Sequence, residues 1–278
     1  MTVLEVVQST TDYFKKRQIE SPRLNAEHLI AHVLGRKRLD LYLEFERALT
    51  EQELAPLREA VKRRGQGEPL QHLLGTVEFC GNTFACDKRA LVPRHETEEL
   101  VESLQSKFEN RESKIVDVGT GSGVIALSLA AKLSAARVTA TDVSSDALTL
   151  ARENAERLRL TDRIRFLQGD LFAGLDERFD LIVANLPYVA MRDRETLSRE
   201  VLHDPEVALF GGEAGDEIIG RLIEAAPERL VQGGLLALEI GVGQAKSLED
   251  RLREKNFHDI EAKNDYAGVI RFLFGRYG

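Results

Sequence analysis

The sequence predicts an α/β fold: a mostly parallel sheet with helices on both faces, preceded by a small helical domain and a linking β-hairpin. Three observations predict it. Residues 1 to about 65 show helical apolar spacing and no convincing alternating strand. From Leu74 to Leu91 the texture shifts to Thr, Val, Phe, Gly and Asn. Beyond that, short apolar runs alternate with helical segments, the pattern of a parallel sheet buried on both faces.

The elements follow in order. Leu4, Val7, Tyr13 and Phe14 form a first helical stripe, and Leu24, His28, Leu29 and His32 a second after Ser21-Pro22. Thr50-Glu51-Gln52-Glu53 is a capping box opening a third helix. The hairpin is expected to turn at Gly81-Asn82. A helix over Glu96–Phe108 precedes strands at Ile115–Val118, Val138–Asp142, Ile164–Gln168, Leu181–Asn185 and Leu235–Ile240, a short run near Ile260, and Val269–Phe274. Helices are predicted at Gly123–Lys132, Ser145–Arg157, Asp216–Glu228 and Ala245–Lys255. No helix separates the last two strands, and Asn264–Gly268 supplies a turn, so the sheet should end in an antiparallel hairpin. The expected domains are residues 1–70 (helical), 71–92 (hairpin linker) and 93–278 (α/β).

Length and composition agree with this division. The 278 residues suffice for two domains, and 43% hydrophobic with 30% charged residues is ordinary for a globular chain. No stretch reaches the ~20 apolar residues of a membrane span. Met1-Thr2-Val3-Leu4-Glu5 carries no basic and apolar leader, so a cytoplasmic location is expected. Cys80 and Cys86 are too few for a four-ligand zinc site and are read as inert. Residues 1–80 hold 12 Lys+Arg against 12 Asp+Glu, so the net charge of −8 belongs to the remainder. Such a balance disfavours bare nucleic acid as the main partner. The basic run Lys62-Arg63-Arg64 reads as a solvated helix face.

The chemistry sits at strand ends. Val116-Asp117-Val118 runs into Gly119-Thr120-Gly121-Ser122-Gly123, where a helix opens. Glycines there let the backbone turn tightly and approach a ligand without an intervening Cβ. At the end of the next strand, Asp142 can accept both hydroxyls of a ribose. Together these features specify an adenosine-type cofactor, bound by Gly119, Thr120, Gly121, Ser122, Gly123 and Asp142. Both would also suit a nicotinamide dinucleotide, but that fingerprint reads G-x-G-x-x-G and this loop reads G-x-G-x-G.

The loop spacing and the antiparallel sheet end resemble the class I (Rossmann-like) methyltransferases. That resemblance implies S-adenosyl-L-methionine as cofactor, with Asp170 beside the adenine amino group and Leu171 packed on the ring. The fourth strand then delivers Asn185-Leu186-Pro187-Tyr188 beside the cofactor. An amide nitrogen is a poor nucleophile because its lone pair is delocalised. Its NH2 can be held by the Asn185 side-chain oxygen and the Leu186 carbonyl, which Pro187 helps to aim. Tyr188 offers a flat face for a planar group.

This Asn-x-Pro-Tyr element resembles the amino-methyltransferases, and further segments narrow the likeness. Glu68-Pro69-Leu70-Gln71-His72-Leu73-Leu74-Gly75 and Pro93-Arg94-His95-Glu96-Thr97 resemble the HemK/PrmC family of release factor N5-glutamine methyltransferases. So do Asp204-Pro205 through Gly211-Gly212, Leu238-Glu239-Ile240-Gly241 with Gln244, and Asp265, Gly268 and Arg271. The family usually has proline at position 186 and glutamate at 204. The resemblance implies methyl transfer from S-adenosyl-L-methionine to the side-chain nitrogen of the glutamine in the Gly-Gly-Gln loop of class I peptide chain release factors. The competing reading is a ribosomal-RNA adenine amino-methyltransferase, a group that also carries Asn-Leu-Pro-Tyr. Those enzymes place their helical domain after the catalytic one and tend to be basic. A catalytically silent release-factor adaptor is a third reading, against which the intact Asn185 and glycine loop argue. The scattered His28, His32 and His72 are expected to pack, and Gly211-Gly212 is read as a turn.

Overall fold

A computed structural model describes residues 1–109 and 111–278. Thr2 caps α1 (Val3–Lys16), its hydroxyl accepting from the Glu5 N–H while the Glu5 carboxylate takes the Thr2 N–H. In α2 (Pro22–Val33) the buried face is Asn25, Ala26, Glu27, Leu29, Ile30 and Ala31. The stripe read from sequence was displaced, since Leu24 and His32 are exposed. Two polar residues disguised the inner face. Glu27 accepts from Arg23, Arg38 and Tyr42, and Asn25 accepts from Arg64. The predicted Thr50–Glu53 capping box opens α3 (Glu51–Gly65), and a short α4 (Leu70–Leu74) follows.

The basic run is a solvated face at Lys62 and Arg63, which are exposed, but not at Arg64. Arg64 is only 3% exposed and donates to Asn25 Oδ1 at 2.7 Å, the Glu68 carbonyl at 3.0 Å and the Glu200 carboxylate at 2.7 Å. Arg63 is committed to Glu68. A buried guanidinium must be paired, and its partner comes from far along the chain. Accordingly, Ser198–His203 belong with Met1–Thr76 in one unit, and Val77–Leu197 with Asp204–Gly278 form the other.

In the larger unit, β1 (Thr76–Phe79) and β2 (Asn82–Ala85) make the hairpin. Its two-residue turn is Cys80-Gly81, with φ of 48° and 77°, one residue earlier than the sequence suggested. Asn82 begins the strand instead, its Nδ2 donating back to the Cys80 carbonyl. Burial pushes both thiols up, Cys80 to about 11 and Cys86 to about 12, so neither is reactive.

The remaining elements are α5 (His95–Phe108), β3 (Ser113–Val118), α6 (Val124–Lys132), β4 (Ala136–Asp142), α7 (Ser145–Arg157), β5 (Ile164–Gln168) and β6 (Phe179–Asn185). They continue with β7 (Val189–Ala190), α8 (Glu206–Leu209), β8 (Phe210–Gly212), α9 (Glu217–Arg229), β9 (Leu230–Glu239), α10 (Ala245–Glu254), β10 (Phe257–Asn264) and β11 (Ile270–Tyr277). The seven-stranded sheet runs β10-β11-β9-β6-β3-β4-β5. Its last five strands are parallel, and β11 is antiparallel to both neighbours, as the missing helix foretold. Period-2 alternation divides the core. Ile115, Leu181, Val183 and Ala237 pack towards α5 and α6, while Val116, Ile182, Leu236 and Leu238 pack towards α9 and α10.

One pairing escaped the sequence: β7 and β8 form a small parallel pair, so Gly211-Gly212 lie in a strand rather than a turn. A Cβ on Gly211 would meet the Pro187 carbonyl at 2.4 Å, and one on Gly215 the Tyr188 carbonyl at 2.5 Å. These glycines let backbone lie directly on backbone beneath the Asn185–Tyr188 segment. Among the described residues no helix is long and apolar enough to cross a membrane.

Candidate active site

Strand order reverses between β3 and β6, and at such a switch point the loops leaving the carboxyl ends diverge and open a crevice. A cavity of about 300 Å³ lies there, at the lower end of the size of small-molecule sites. Most of the residues singled out from sequence line it: Gly119, Thr120, Gly121, Ser122, Asp142, Asp170, Leu171, Asn185, Leu186 and Pro187.

The glycine loop is shaped by left-handed backbone, with φ of 74° at Gly119, 56° at Gly121 and 85° at Gly123. At Gly119 a side chain would also collide with Leu186, whose Cδ2 lies 2.7 Å from the Cβ position. Gly123 does not line the cavity. A Cβ there would lie 3.1 Å from Ala151 Cβ, so its role is close packing of α6 on α7. Thr120 turns its hydroxyl down to Asp117 Oδ2 at 2.6 Å, where the Ala126 N–H also donates. Asp117 is fully buried with Oδ1 unpartnered, and burial pushes its carboxyl up to about 7. Ser122 presents its carbonyl to Asn154, which also accepts from and donates to the Ala85 backbone. Asn154 thereby ties β2 to the glycine loop, a role nothing in its local sequence announced.

Asp142 Oδ2 accepts from the Gly121 N–H and Oδ1 from the Ser144 N–H, both at 2.8 Å. Burial raises its pKa, and these backbone donors oppose the rise. The Val143 N–H also reaches this carboxylate; with two lone pairs on each oxygen, acceptor capacity remains for a ribose hydroxyl. Asp170 is half-exposed and paired with Arg221. Leu171 takes a left-handed φ of 51°, its carbonyl held by the Thr141 hydroxyl at 3.2 Å. Open glycine backbone, a two-pronged acid and an apolar flank fit an adenosine-type group.

On the far side, Asn185 Nδ2 donates to Thr97 Oγ1 at 3.1 Å, and Thr97 donates to Glu239 Oε2 at 2.7 Å. Among the described residues nothing donates to Asn185 Oδ1, which remains the acceptor of a residue lining the cavity. Tyr188 stands apart from the lining and packs beside Gly241, whose Cβ position is 3.2 Å from the ring. Burial raises its phenol to about 12. Gln244 fixes this turn, donating to the Tyr188 carbonyl at 3.0 Å and accepting from the Gly241 N–H at 2.8 Å. Buried Asp204 accepts from the Val92 N–H and Arg94, both at 3.1 Å, which anchors the Pro93-Arg94 wall. Thr97 and Glu239 were visible in sequence only as members of family-like segments.

Residues 5–75 match the model of the PrmC N-terminal domain and residues 95–214 that of the methyltransferase small domain. A release factor glutamine methyltransferase of Rhodopirellula baltica is 40% identical over 98% of this chain and 95% of its own length. Those of Geobacter sulfurreducens (39%; 100% and 97%) and Escherichia coli (36%; 93% of each) are similarly close. Among solved structures, a ribosomal protein L11 methylase from Lactobacillus delbrueckii superimposes with a TM-score of 0.53 at 26% identity, covering 69% of this chain and 84% of its own. A Pyrococcus furiosus methyltransferase gives 0.54 at 21% identity, over 70% and 88%, and shows the shared fold. With full-length identity near 40% to several such enzymes, the chain belongs to the release factor glutamine methyltransferase family.

Proposed function

We propose that the protein methylates the side-chain amide nitrogen of the glutamine in the Gly-Gly-Gln loop of class I peptide chain release factors, using S-adenosylmethionine. The observation that carries this reading is the orientation of Asn185. With Nδ2 committed to Thr97, its Oδ1 is the acceptor at the cavity, beside the glycine loop. Asn185 Oδ1 and the Leu186 carbonyl take the two hydrogens of the target NH2 and turn its lone pair away from its own carbonyl. Asp142 holds the ribose, the loop from Gly119 to Ser122 lies along the cofactor, and Asp170 with Leu171 flank its base. When bound, S-adenosylmethionine supplies a methyl group on a sulfonium sulfur, so that transfer leaves a thioether and releases one proton from the acceptor nitrogen. Because that nitrogen is acidic once methylated, the chain needs only to position it, a contribution of up to about 7–11 kcal/mol. The helical unit is assigned to holding the substrate protein.

Labelled S-adenosylmethionine offered with purified release factor, and separately with ribosomal RNA, tests the reading. Label on the factor, lost when its loop glutamine is replaced, is expected; label on RNA alone refutes it. Asn185→Ala should abolish turnover while cofactor affinity stays within a few-fold, and surviving turnover would remove Asn185 from the clamp.

A further inference from the structure

An asparagine clamp has a polarity problem. The two ends of its amide are nearly the same size, and rotation about the terminal torsion is soft and two-fold. Only one orientation suits an NH2 target. Oδ1 must face the substrate, because an Nδ2 there would oppose two donors. Something must choose between them.

Asn185 and Glu239 lie side by side in register at the carboxyl ends of parallel β6 and β9. Thr97, from the first turn of α5, reaches both. Thr97 is 3% exposed and Glu239 2%. A threonine hydroxyl has one proton. An ionised carboxylate has none to give, so Glu239 takes that proton, and only a lone pair remains for Asn185. Asn185 must then present Nδ2 to Thr97, leaving Oδ1 outward. A protonated Glu239 can donate to Thr97 instead, freeing the hydroxyl to donate to Asn185 Oδ1 and turning the amide around.

We infer that Glu239, acting through the Thr97 hydroxyl, is the positioning residue that sets the polarity of the Asn185 amide and so admits an amide NH2 as acceptor. The inference rests on the proposed role of Asn185 as substrate clamp. It also makes turnover depend on the charge of Glu239. Thr97 and Glu96 face that carboxyl from α5, Asn185 and Tyr188 from β6 and the turn after it, and Arg271 from β11. Arg271 itself lies 3.6 Å from Asp265. Burial, helped by the Glu96 charge, pushes Glu239 up to about 7, against the pull of the Thr97 hydrogen bond, the Arg271 charge and a weaker hydrogen bond from Asn185 itself.

The test measures kcat and KM for release-factor methylation against pH, using the full chain, with Glu239→Gln, Thr97→Val and Thr97→Ser. S-adenosylmethionine affinity is read by calorimetry in each. In the unsubstituted protein kcat should fall about tenfold per pH unit below the pKa of Glu239. Glu239→Gln should lower kcat roughly 30-fold near pH 8, keep KM within about threefold and lose the acid limb, because an uncharged amide no longer dictates the hydroxyl's direction. Thr97→Val, of nearly the same shape, should lose kcat similarly with cofactor affinity retained, and Thr97→Ser should restore most of it. An unaltered kcat in Thr97→Val, or an acid limb that survives in an active Glu239→Gln, overturns the inference. Failure of the unsubstituted protein to label the factor would refute the proposed substrate instead.

Discussion

Gly119 is where one added methyl group probes the site most directly. Its φ is +74°, and a Cβ there would lie 2.7 Å from Cδ2 of Leu186. Gly119→Ala therefore carries two separable costs. Holding an L-residue in the left-handed region costs about 1–2 kcal/mol. Forcing a methyl against a leucine that is only 5% exposed costs about 1–3 kcal/mol more. Leu186→Ala alone should destabilise by about 2–4 kcal/mol through lost burial, but it removes the atom with which the new methyl collides. The double variant should then be less damaged than the sum of the singles by about 1–3 kcal/mol, while the backbone cost persists. Urea unfolding of the four proteins closes the cycle, provided that the m-values agree. Calorimetric titration with S-adenosylmethionine should show weaker binding for Gly119→Ala and partial recovery in the double variant. Costs that add to within about 0.5 kcal/mol would refute the seating of residue 186 on the glycine loop.

Three other outcomes are expected. Asp117 keeps its proton in the folded chain up to about pH 7, whereas the unfolded chain releases it near 4, so this group's contribution to stability is lost as pH rises between those values. Asp117→Asn should flatten that slope in urea unfolding series, and an unchanged slope would show that the buried carboxyl is not its source. Burial pushes Glu27 up, but hydrogen bonds from Arg23, Tyr42 and Arg38 more than reverse this, so its contribution is present above the usual carboxylate pKa and lost as pH falls through the lowered one. Glu27→Ala should cost about 3 kcal/mol at neutral pH, and a thermal scan showing less than about 1 kcal/mol would mean that the arginines simply rehydrate. Asn154→Ala strands the Ala85 N–H, the Ala85 carbonyl and the Ser122 carbonyl, so it should cost about 3 kcal/mol and weaken cofactor binding; unchanged binding in calorimetry would separate Asn154 from the loop.

Much of the site was legible because its parts are local. The glycine loop, Asp142 and Asn185 each stand where a buried strand runs out, and apolar period marks such a point without any partner. Gly123 and Tyr188 lie outside the cavity lining for a related reason. Each belongs to a cofactor-adjacent segment by sequence, but packing turns Gly123 onto Ala151 and sets Tyr188 beside Gly241. In the helical unit, Asn25 and Glu27 on the buried face of α2 broke the apolar pattern, since hydrophobicity cannot register a polar residue that is satisfied internally.

The sequence by itself determined the layered α/β core, its antiparallel edge, the glycine loop and the family, because these depend on period, turn chemistry and short motifs. Tertiary structure alone decided which distant groups complete them. Glu200 comes to neutralise buried Arg64, and Gly211 and Gly215 come to lie against the Pro187–Tyr188 backbone. Thr97 comes to stand between Asn185 and Glu239. The physical reason is that a hydrogen bond's direction follows from which partner is buried and charged, and those conditions exist only once strands far apart in the chain lie side by side.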